Sequence, residues 1–453
     1  MSGKCATARR CVSNSSPTPG RSQPRWAEVS ARVNAGLALG GWARRKPGRM
    51  EMEISLKGML AGLLLSTALT AGGTLVANAG GDEIVIGAPI SLTGPLAGDG
   101  KEQKWAYEQA VADINKAGGI MVKSAGKKLP VRLVVADDES SEGKVASALE
   151  NLIKVQKVDA LLSTHSGPMN IAGAIVAEKY KKFYMITTAF PFEWQPLKLK
   201  YSALFFFHPG PGAEVPFQIW DKLPADEKPK HPALVSEDSP DGKGFGGAFE
   251  AAAKKYGYSF AVDDPWAIGA TDYSALITKL KASDVDAMLV FGSPADTVTL
   301  LRQMKELGFS VPYLHGWKGT WTGEFHEALG PDSDYILTDG FWSASYPYKG
   351  AKDLGDRYEA EFKKDSVTVG AFYANAQVLA QAIEKAGSTD AAAIHDAIFG
   401  QEFKDTVVGD LKFDETGFAL IPSVATQWWQ GKHQLIYPDG NWTYKPAPAW
   451  DKR

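Results

Sequence analysis

Two strand-to-helix corners carry polar residues whose types and spacing suit ligand binding. The first runs from Leu161 to Pro168 and the second from Phe291 to Asp296. In each, an apolar strand leads through small polar residues to a proline that suits the first turn of a helix. A helix N-terminus offers unpaired N–H groups and a positive dipole end, which can bind a carboxylate. The corners therefore predict anion-binding sites or, as the alternative, ordinary helix caps such as Ser293.

A glycine pattern in the middle of the chain suggests a competing chemistry. Gly242, Gly244 and Gly247 form G-x-G-x-x-G. Asp263 and Asp264 follow about twenty residues later, as in nicotinamide-binding folds. Polar residues separate the preceding strand from the first glycine, which weakens this interpretation. A nicotinamide dehydrogenase is therefore the rival hypothesis.

Other signatures of catalysis or metal binding are missing from the sequence. No G-x-S-x-G, H-E-x-x-H or Walker motif occurs. The seven histidines are widely spaced, without the spacing of zinc ligands. Both cysteines, Cys5 and Cys11, lie near the N-terminus. We therefore predict no enzyme activity, no cofactor and no metal site.

Alternating strands and helices must position the two corners. Short apolar strands and amphipathic helical stretches alternate in two series, over 83–207 and 233–315, with a Pro/Gly-rich segment at 208–212 between them. This alternation predicts parallel sheets covered by helices on both faces. A chain of this length suits two lobes. Because such sheets bind ligands at the carboxyl ends of their strands, the deepest site is predicted between the lobes.

The N-terminal segment is predicted to be a leader outside the fold. Lys57 precedes an apolar run, Met59–Leu69, and Ala77-Asn78-Ala79 gives the small-x-small end of a signal peptide. The run is short for a membrane span of about 20 residues, although an uncleaved anchor or a buried helix is an alternative. Residues 1–49 are strongly basic, which favours a translation start at Met50 or Met52. We treat 1–79 as the leader, with the signal peptide at about 52–79.

Charge and cysteine content limit the kinds of partner that the remaining chain can have. Residues 80–453 hold 38 Lys and Arg against 49 Asp and Glu, a formal net charge of −11. An acidic chain argues against nucleic-acid binding. No cysteine stands at the predicted cleavage site for lipid attachment, so we predict a free periplasmic protein, present as a monomer.

Seven short motifs occur in an order that is specific, although each motif alone is weak. They are Ile86–Pro95, Ala112–Ile120, Val135–Asp138, Tyr184–Thr188, Asp272–Leu276, Phe413–Gly417 and Gln427–Lys432. Their order resembles that of the branched-chain-amino-acid-type periplasmic binding proteins of ABC transporters. The resemblance implies an α/β fold of two doubly wound parallel-sheet lobes joined by a three-strand hinge. It places lobe 1 at 80–207 and 340–422, and lobe 2 at 208–339 and 423–453.

The resemblance also implies which residues face a ligand. In that family the first corner and the loop after the next strand bind ligand through backbone and hydroxyl groups, and a glycine-containing turn of lobe 2 faces the cleft. The matching or neighbouring residues here are Thr93, His165, Ser166, Gly167, Pro168, Thr187, Thr188, Phe190, Asp238, Asp241 and Ser293. Plain structural roles are the alternative for His165, Phe190 and Ser293.

The segment from His315 to Lys318 departs from the family pattern. Amino-acid-binding members carry a carboxylate in this loop for the ligand's ammonium, whereas Trp317 stands there and no acid is adjacent. An unpaired buried ammonium is costly, and tryptophan offers a large apolar face. Trp317 therefore favours an aromatic or otherwise apolar carboxylic acid. Other aromatic residues are predicted to line the cleft or, alternatively, to pack the core: Trp321, Phe341, Trp342, Tyr346 and Tyr348.

The sequence as a whole predicts an extracytoplasmic receptor that closes around a small molecule by a hinge motion. Its partner is then an inner-membrane ABC transporter permease. The alternatives are a ligand-sensing regulatory protein and a receptor for branched-chain amino acids or amides.

The leader assignment predicts that the exported protein begins at Gly80, because signal peptidase cuts after a small-x-small sequence. N-terminal sequencing of the protein recovered from the periplasm tests this. A periplasmic protein that retains the apolar run would contradict the assignment and favour an anchor.

Overall fold

The computed structural model describes residues 82–438, 440 and 442–453. The predicted leader and its cleavage site lie outside these residues. Within the described part, no helix has both the length and the apolar character needed to cross a membrane.

The first sheet has six strands, and every pairing in it is parallel. Its strands follow the order β15-β7-β6-β5-β1-β4. Strands β5, β6 and β7 are buried along their whole length, which is typical of a parallel sheet with both faces covered. The bounds are β1 (Ile84–Ile90), β4 (Val131–Asp137), β5 (Ala160–Leu162), β6 (Tyr184–Ile186), β7 (Ser202–Phe206) and β15 (Phe418–Leu420).

The second sheet has seven strands in the order β17-β16-β12-β11-β10-β8-β9. Strands β8 to β12 pair in parallel, whereas β16 and β17 add an antiparallel edge. The bounds are β8 (Pro232–Glu237), β9 (Val262–Trp266), β10 (Ala287–Gly292), β11 (Tyr313–Lys318), β12 (Leu337–Gly340), β16 (Val424–Trp429) and β17 (Lys432–Tyr437).

The antiparallel edge is an addition to the predicted parallel sheets. Gln430 and Gly431 join β16 to β17, and their φ angles of 52° and 76° suit a two-residue hairpin turn. Strand–helix alternation does not indicate such an edge, because a hairpin needs no crossover helix.

Five strands in each sheet share one order. Strands β4-β1-β5-β6-β7 of the first sheet and β9-β8-β10-β11-β12 of the second both follow the doubly wound order 2-1-3-4-5. The order reverses between β1 and β5, and again between β8 and β10. Ligands of such sheets bind outside the carboxyl ends of the strands at that reversal. We call the parts built on the first and second sheets lobe 1 and lobe 2.

Twelve helices of the described region connect and cover the strands. Helix α1 packs against α11, α2 against α3, and α5 against α6. The bounds are α1 (Ala97–Lys116), α2 (Glu142–Lys154), α3 (Gly167–Tyr180), α4 (Pro191–Trp194), α5 (Pro209–Asp221), α6 (Pro240–Lys255), α7 (Ser274–Ala282), α8 (Pro294–Glu306), α9 (Gly323–Leu329), α10 (Ala351–Phe362), α11 (Val369–Ala386) and α12 (Ala391–Ile398). Two small hairpins complete the fold: β2 (Ile120–Val122) with β3 (Lys127–Leu129), and β13 (Glu402–Thr406) with β14 (Gly409–Lys412).

The chain passes between the two sheets three times. It leaves the first sheet after β7, returns after β12, and leaves again between β15 and β16. Two of the predicted lobe boundaries, 207/208 and 422/423, lie in these connecting segments, whereas the third, 339/340, falls just before the last residue of β12. Which residues move together remains a prediction.

Gly370 and Gly247 offer a matched test of packing, since both are helical glycines. A methyl group on Gly370 would overlap the Trp342 ring, which is held by a 2.9 Å hydrogen bond from Nε1 to the Val407 carbonyl, whereas nothing lies near Gly247. We expect Gly370→Ala to lower the free energy of unfolding by about 2 kcal/mol. Gly247→Ala should raise it by about 0.5 kcal/mol. Urea unfolding measures both, and equal effects would contradict this account of the packing.

Candidate functional site

A small cavity lies where the carboxyl ends of both sheets meet. Nine residues line it, drawn from both lobes: His165, Ser166, Thr188, Phe190, Phe206, Asp241, Phe291, Lys318 and Trp321. Its free volume is about 10 Å³, which is close to the space one water needs. Sites for small molecules are usually hundreds of Å³ in volume, so this cavity is too small for such a ligand in the conformation described.

The lobe 1 wall is held by the buried side chain of Asn170 on α3. Its Nδ2 donates hydrogen bonds to the Thr164 carbonyl at 3.1 Å and to the Thr187 carbonyl at 2.9 Å. These bonds tie the loop after β5 to the loop after β6. Ser166 and Thr188, one in each loop, adopt positive φ values of 69° and 56°. Both residues are thus held in strained backbone conformations, of a kind often found at functional sites.

Ser166 does not cap the helix that it precedes. It stands directly before α3, yet its hydroxyl makes no capping hydrogen bond. Ser239 and Ser293, the corresponding residues of α6 and α8, accept hydrogen bonds from the Gly242 and Asp296 N–H groups. Capping therefore explains Ser293 but not Ser166.

A buried ion pair dominates the lobe 2 wall. Lys318, the last residue of β11, places Nζ 2.8 Å from Glu237 Oε1 and 3.6 Å from Asp241 Oδ2. Burial alone would lower the pKa of Lys318, but the carboxylates of Glu237 and Asp241 raise it above its usual value. The ammonium therefore stays charged at neutral pH. It has three N–H donors, so one donor beyond these two contacts is available for a ligand.

Glu193 and Asp241 bring two carboxyl groups together from opposite lobes. Both stand against Gly167, where a methyl group would overlap Glu193 Oε2 and Asp241 Oδ1. The missing side chain of Gly167 therefore permits their close approach. Burial and the neighbouring like charge raise the pKa of Glu193 to about 8. Burial also raises the pKa of Asp241, against the opposing effect of Lys318.

Several buried polar atoms around the cavity have no hydrogen-bond partner among the described residues. They include both carboxyl oxygens of Asp99, Nδ1 of His165 and Oδ1 of Asp241. Asp99 Oδ1 lies 3.8 Å from His165 Nε2. Burial and the charge of Glu102 raise the pKa of Asp99 well above its usual range, while burial and Lys318 lower that of His165 to about 3. His165 is therefore neutral at physiological pH.

Five of the predicted ligand contacts meet in the cavity wall. They are His165, Ser166, Thr188, Phe190 and Asp241. Gly167 and Pro168 begin α3 beside them, and Gly167 contacts the carboxyl pair. The Thr187 side chain is buried behind the wall, and its carbonyl accepts a hydrogen bond from Asn170. That these residues contact a ligand remains a prediction.

Three other predicted contacts lie away from the cavity wall. Thr93 donates a 2.8 Å hydrogen bond from Oγ1 to Asp137. Asp238 forms an exposed ion pair with Lys243 at 2.6 Å. Ser293 caps α8. Each of these side chains already has a local partner.

The structure places Trp317 and Trp342 in the core and outside the cavity wall. The Trp317 ring stacks on His315 at 4.1 Å between centroids and meets Phe249 edge-on at 4.6 Å. Trp342 packs on Gly370 in the core of lobe 1. Neighbouring side chains of a strand point to opposite faces, so Lys318 reaches the cavity while Trp317 does not. The predicted ligand contacts of both tryptophans are corrected accordingly.

No acid is adjacent to this segment in sequence, but two carboxylates approach it in the fold. Glu237 and Asp241 approach Lys318 from the end of β8 and the start of α6, some eighty residues earlier in the chain. Adjacency in sequence cannot reveal them.

Of the other aromatic residues, Trp321 lines the cavity, and its Nε1 donates a 2.6 Å hydrogen bond to Asp339. The sequence did not predict four residues of the site, which are Lys318, Phe206, Phe291 and Glu193. For the first three, the available signal was their place at or near the carboxyl end of a strand.

The glycine pattern does not form a dinucleotide turn. Gly242, Gly244 and Gly247 all lie within α6, after its cap at Ser239. Helical backbone at these positions gives no tight loop before the helix, which the dinucleotide fingerprint requires. Among the described residues, no group of three or more His, Cys, Asp or Glu side chains is placed to hold a metal ion.

The buried ion pair predicts a large stability difference from an exposed one. Glu237→Gln leaves the buried Lys318 ammonium without its nearest carboxylate, so we expect a loss of about 3 kcal/mol in unfolding free energy. The control is Asp356→Asn, which removes the exposed Lys352 pair on α10 and should cost no more than about 0.5 kcal/mol. Urea unfolding at pH 7 compares the two variants. A loss for Glu237→Gln no larger than that for Asp356→Asn would contradict a stabilising role of the buried pair.

Comparison with known proteins agrees with this architecture. The sequence profile of a family described as periplasmic binding protein matches residues 83–432. The "Leu/Ile/Val-binding protein homolog 3" of Brucella melitensis is 29% identical over 374 residues, which cover 82% of this chain and 98% of that protein.

Two solved structures share the fold. The branched-chain amino acid transporter substrate binding protein LivJ of Streptococcus pneumoniae, in complex with isoleucine, has a TM-score of 0.69 at 23% identity, covering 79% of this chain and 100% of that one. A solute binding protein from R. palustris, in complex with 4-hydroxybenzoate, has a TM-score of 0.67 at 18% identity, covering 82% and 99%. Because the profile matches most of the chain and the fold agrees, this chain belongs to the periplasmic binding protein family, with the type I fold.

Proposed function

We propose that this protein is an extracytoplasmic receptor that captures a small molecule between its lobes and delivers it to an ABC transporter permease. Membership of the family supports capture, and the cavity at the strand-order reversals supports its location. Hinge closure around a ligand requires no covalent step, so the proposal assigns no catalytic residue.

The favoured ligand is an aromatic or otherwise apolar carboxylic acid. The observation that carries this proposal is Lys318, a charged ammonium in a wall otherwise rich in aromatic rings. Phe190 and Phe206 line the cavity from lobe 1, and Phe291 and Trp321 from lobe 2. An apolar ring packs well among such side chains, while its carboxylate accepts a charge-assisted hydrogen bond.

A second polar contact for the carboxylate is available on lobe 1. Ser166 has a hydroxyl that does not cap its own helix, and the N-terminus of the 14-residue α3 begins beside it. Both groups favour an anion. A carboxylate would therefore find partners on both lobes, so that its binding favours closure.

The second candidate ligand is a branched-chain amino acid. The names of relatives, such as the Leu/Ile/Val-binding protein homolog of Brucella melitensis, favour it. Asp241 also offers a carboxyl group to an ammonium, and Glu193 lies beside it. Against it, the charged Lys318 would stand near the same ammonium, and like charges repel.

Export is part of the proposal. The family is described as periplasmic binding protein, and the predicted signal peptide also supports a periplasmic location. A ligand-sensing role is the alternative to transport. Ligand uptake by membrane vesicles that contain the permease distinguishes the two.

Calorimetric titration with benzoate, 4-hydroxybenzoate and isoleucine tests the ligand class. We expect the two aromatic acids to bind more tightly than isoleucine. Lys318→Gln removes a charge-assisted hydrogen bond worth about 1.5–3 kcal/mol and should weaken aromatic-acid binding at least tenfold. Lys243→Gln, which removes an exposed charge outside the cavity wall, should change binding less than twofold.

Each outcome has a distinct meaning. Tight isoleucine binding without binding of either acid would overturn the aromatic-acid proposal in favour of the amino-acid candidate. Binding of the acids with equal loss in both lysine variants would contradict the role of Lys318. Chemical change of a bound acid during the titration would contradict a receptor without catalytic activity.

A further inference from the structure

Glu193 and Asp241 meet across the two lobes in a way that a pair of charged carboxylates cannot maintain. Glu193 belongs to α4 of lobe 1, and Asp241 to the first turn of α6 in lobe 2. A methyl group on Gly167 would overlap one oxygen of each carboxyl group, so the two groups lie close together, and Asp241 is buried. Two ionised carboxylates at such short range repel strongly in a buried place, so one of them must hold a proton.

We infer that this carboxyl pair is a proton-dependent clasp, which holds the lobes together while it shares one proton and releases them when the proton is lost. In the clasp, a protonated carboxyl group donates an O–H···O hydrogen bond to the other carboxylate. When the lobes separate, both groups become hydrated and the proton passes to solvent. This inference rests on the hinge closure of the proposed function but not on the ligand class.

The charged groups around the clasp do not replace the proton. Lys318 of β11 lies 3.6 Å from Asp241 but donates its shorter hydrogen bond to Glu237, at 2.8 Å. Asp99 of α1 adds a further carboxyl group, and burial keeps His165 neutral. Lys318 thus serves both Glu237 and the clasp. An additional negative charge in the clasp would remain uncompensated.

Electrostatics in the closed lobes agree with this geometry and set the pH range. Burial and Asp241 raise the pKa of Glu193 to about 8, whereas a hydrated glutamate has a pKa of about 4.3. Closing therefore takes up a proton between these two values. A group with a raised pKa favours the closed form at low pH, and this advantage falls as pH rises towards 8. Above that value the closed form retains only its pH-independent contacts.

Spin-label distance measurements test the clasp without any ligand. Labels attached to Ser147→Cys on α2 and Glu306→Cys on α8 report the ratio of closed to open populations. Both positions are exposed and lie on different lobes. Cys5→Ser and Cys11→Ser prevent labelling elsewhere, because the chain has two cysteines. For the parent protein we expect the closed-to-open ratio to fall about tenfold between pH 7 and pH 9.

Glu193→Gln isolates the clasp from other titrating groups. An amide donates a hydrogen bond to Asp241 without a titratable proton, so the variant should hold a nearly constant ratio from pH 7 to pH 9. Glu142→Gln, a matched change at an exposed position of α2, should keep the tenfold dependence. If Glu193→Gln does not fold, as judged by its melting curve, Asp241→Asn gives the same test from the other lobe.

A ratio that does not vary with pH in the parent protein would overturn the clasp. An equally steep dependence in the parent and in Glu193→Gln would also overturn it, because another group would then carry the proton. These outcomes leave the proposed ligand class unaffected. Conversely, a protein that binds none of the tested acids can still show the pH-dependent closing.

Discussion

The buried ion pair between Lys318 and Glu237 is the interaction on which the rest of the site depends. A lysine at the end of a central parallel strand has little access to water, and without a carboxylate partner its charge would be costly there. Glu237 ends β8, which together with β11 flanks β10. The common direction of the strands therefore brings both charged ends to one edge. The charge of Lys318 also acts on the neighbouring titratable groups, which are Asp99, His165, Glu193 and Asp241.

The sequence predicts the frame of the molecule better than the chemistry of its centre. Alternating strands and helices indicate the two parallel sheets, because each element must bury an apolar face against the next. The loops after β5 and β6 could be recognised from their polar residues, and Ser166, Thr188 and Phe190 do line the cavity. The antiparallel edge formed by β16 and β17 was not predicted, since a two-residue turn gives only a weak signal.

The charge balance of the site could not be predicted for a different reason. Trp317 and Lys318 are neighbours, and which of them faces the cavity depends on the strand's register, since one residue reverses the face. The acids that surround Lys318 come from distant segments that only folding brings together. The local sequence indicates only a capping role for Glu193, whose Oε2 accepts a hydrogen bond from the Phe190 N–H. Its meeting with Asp241 depends on a glycine of another element and on the other lobe.

In the proposed hinge closure, Gly167 sets how closely the two lobes can approach each other. With a methyl group at this position, each carboxyl group would meet that carbon before it met the other, and the hinge would stop early. A residual gap would then let solvent reach the polar end of whatever the receptor holds. The missing side chain of Gly167 therefore removes an obstacle between the lobes, and in the proposed closure it allows a dry, fully closed site.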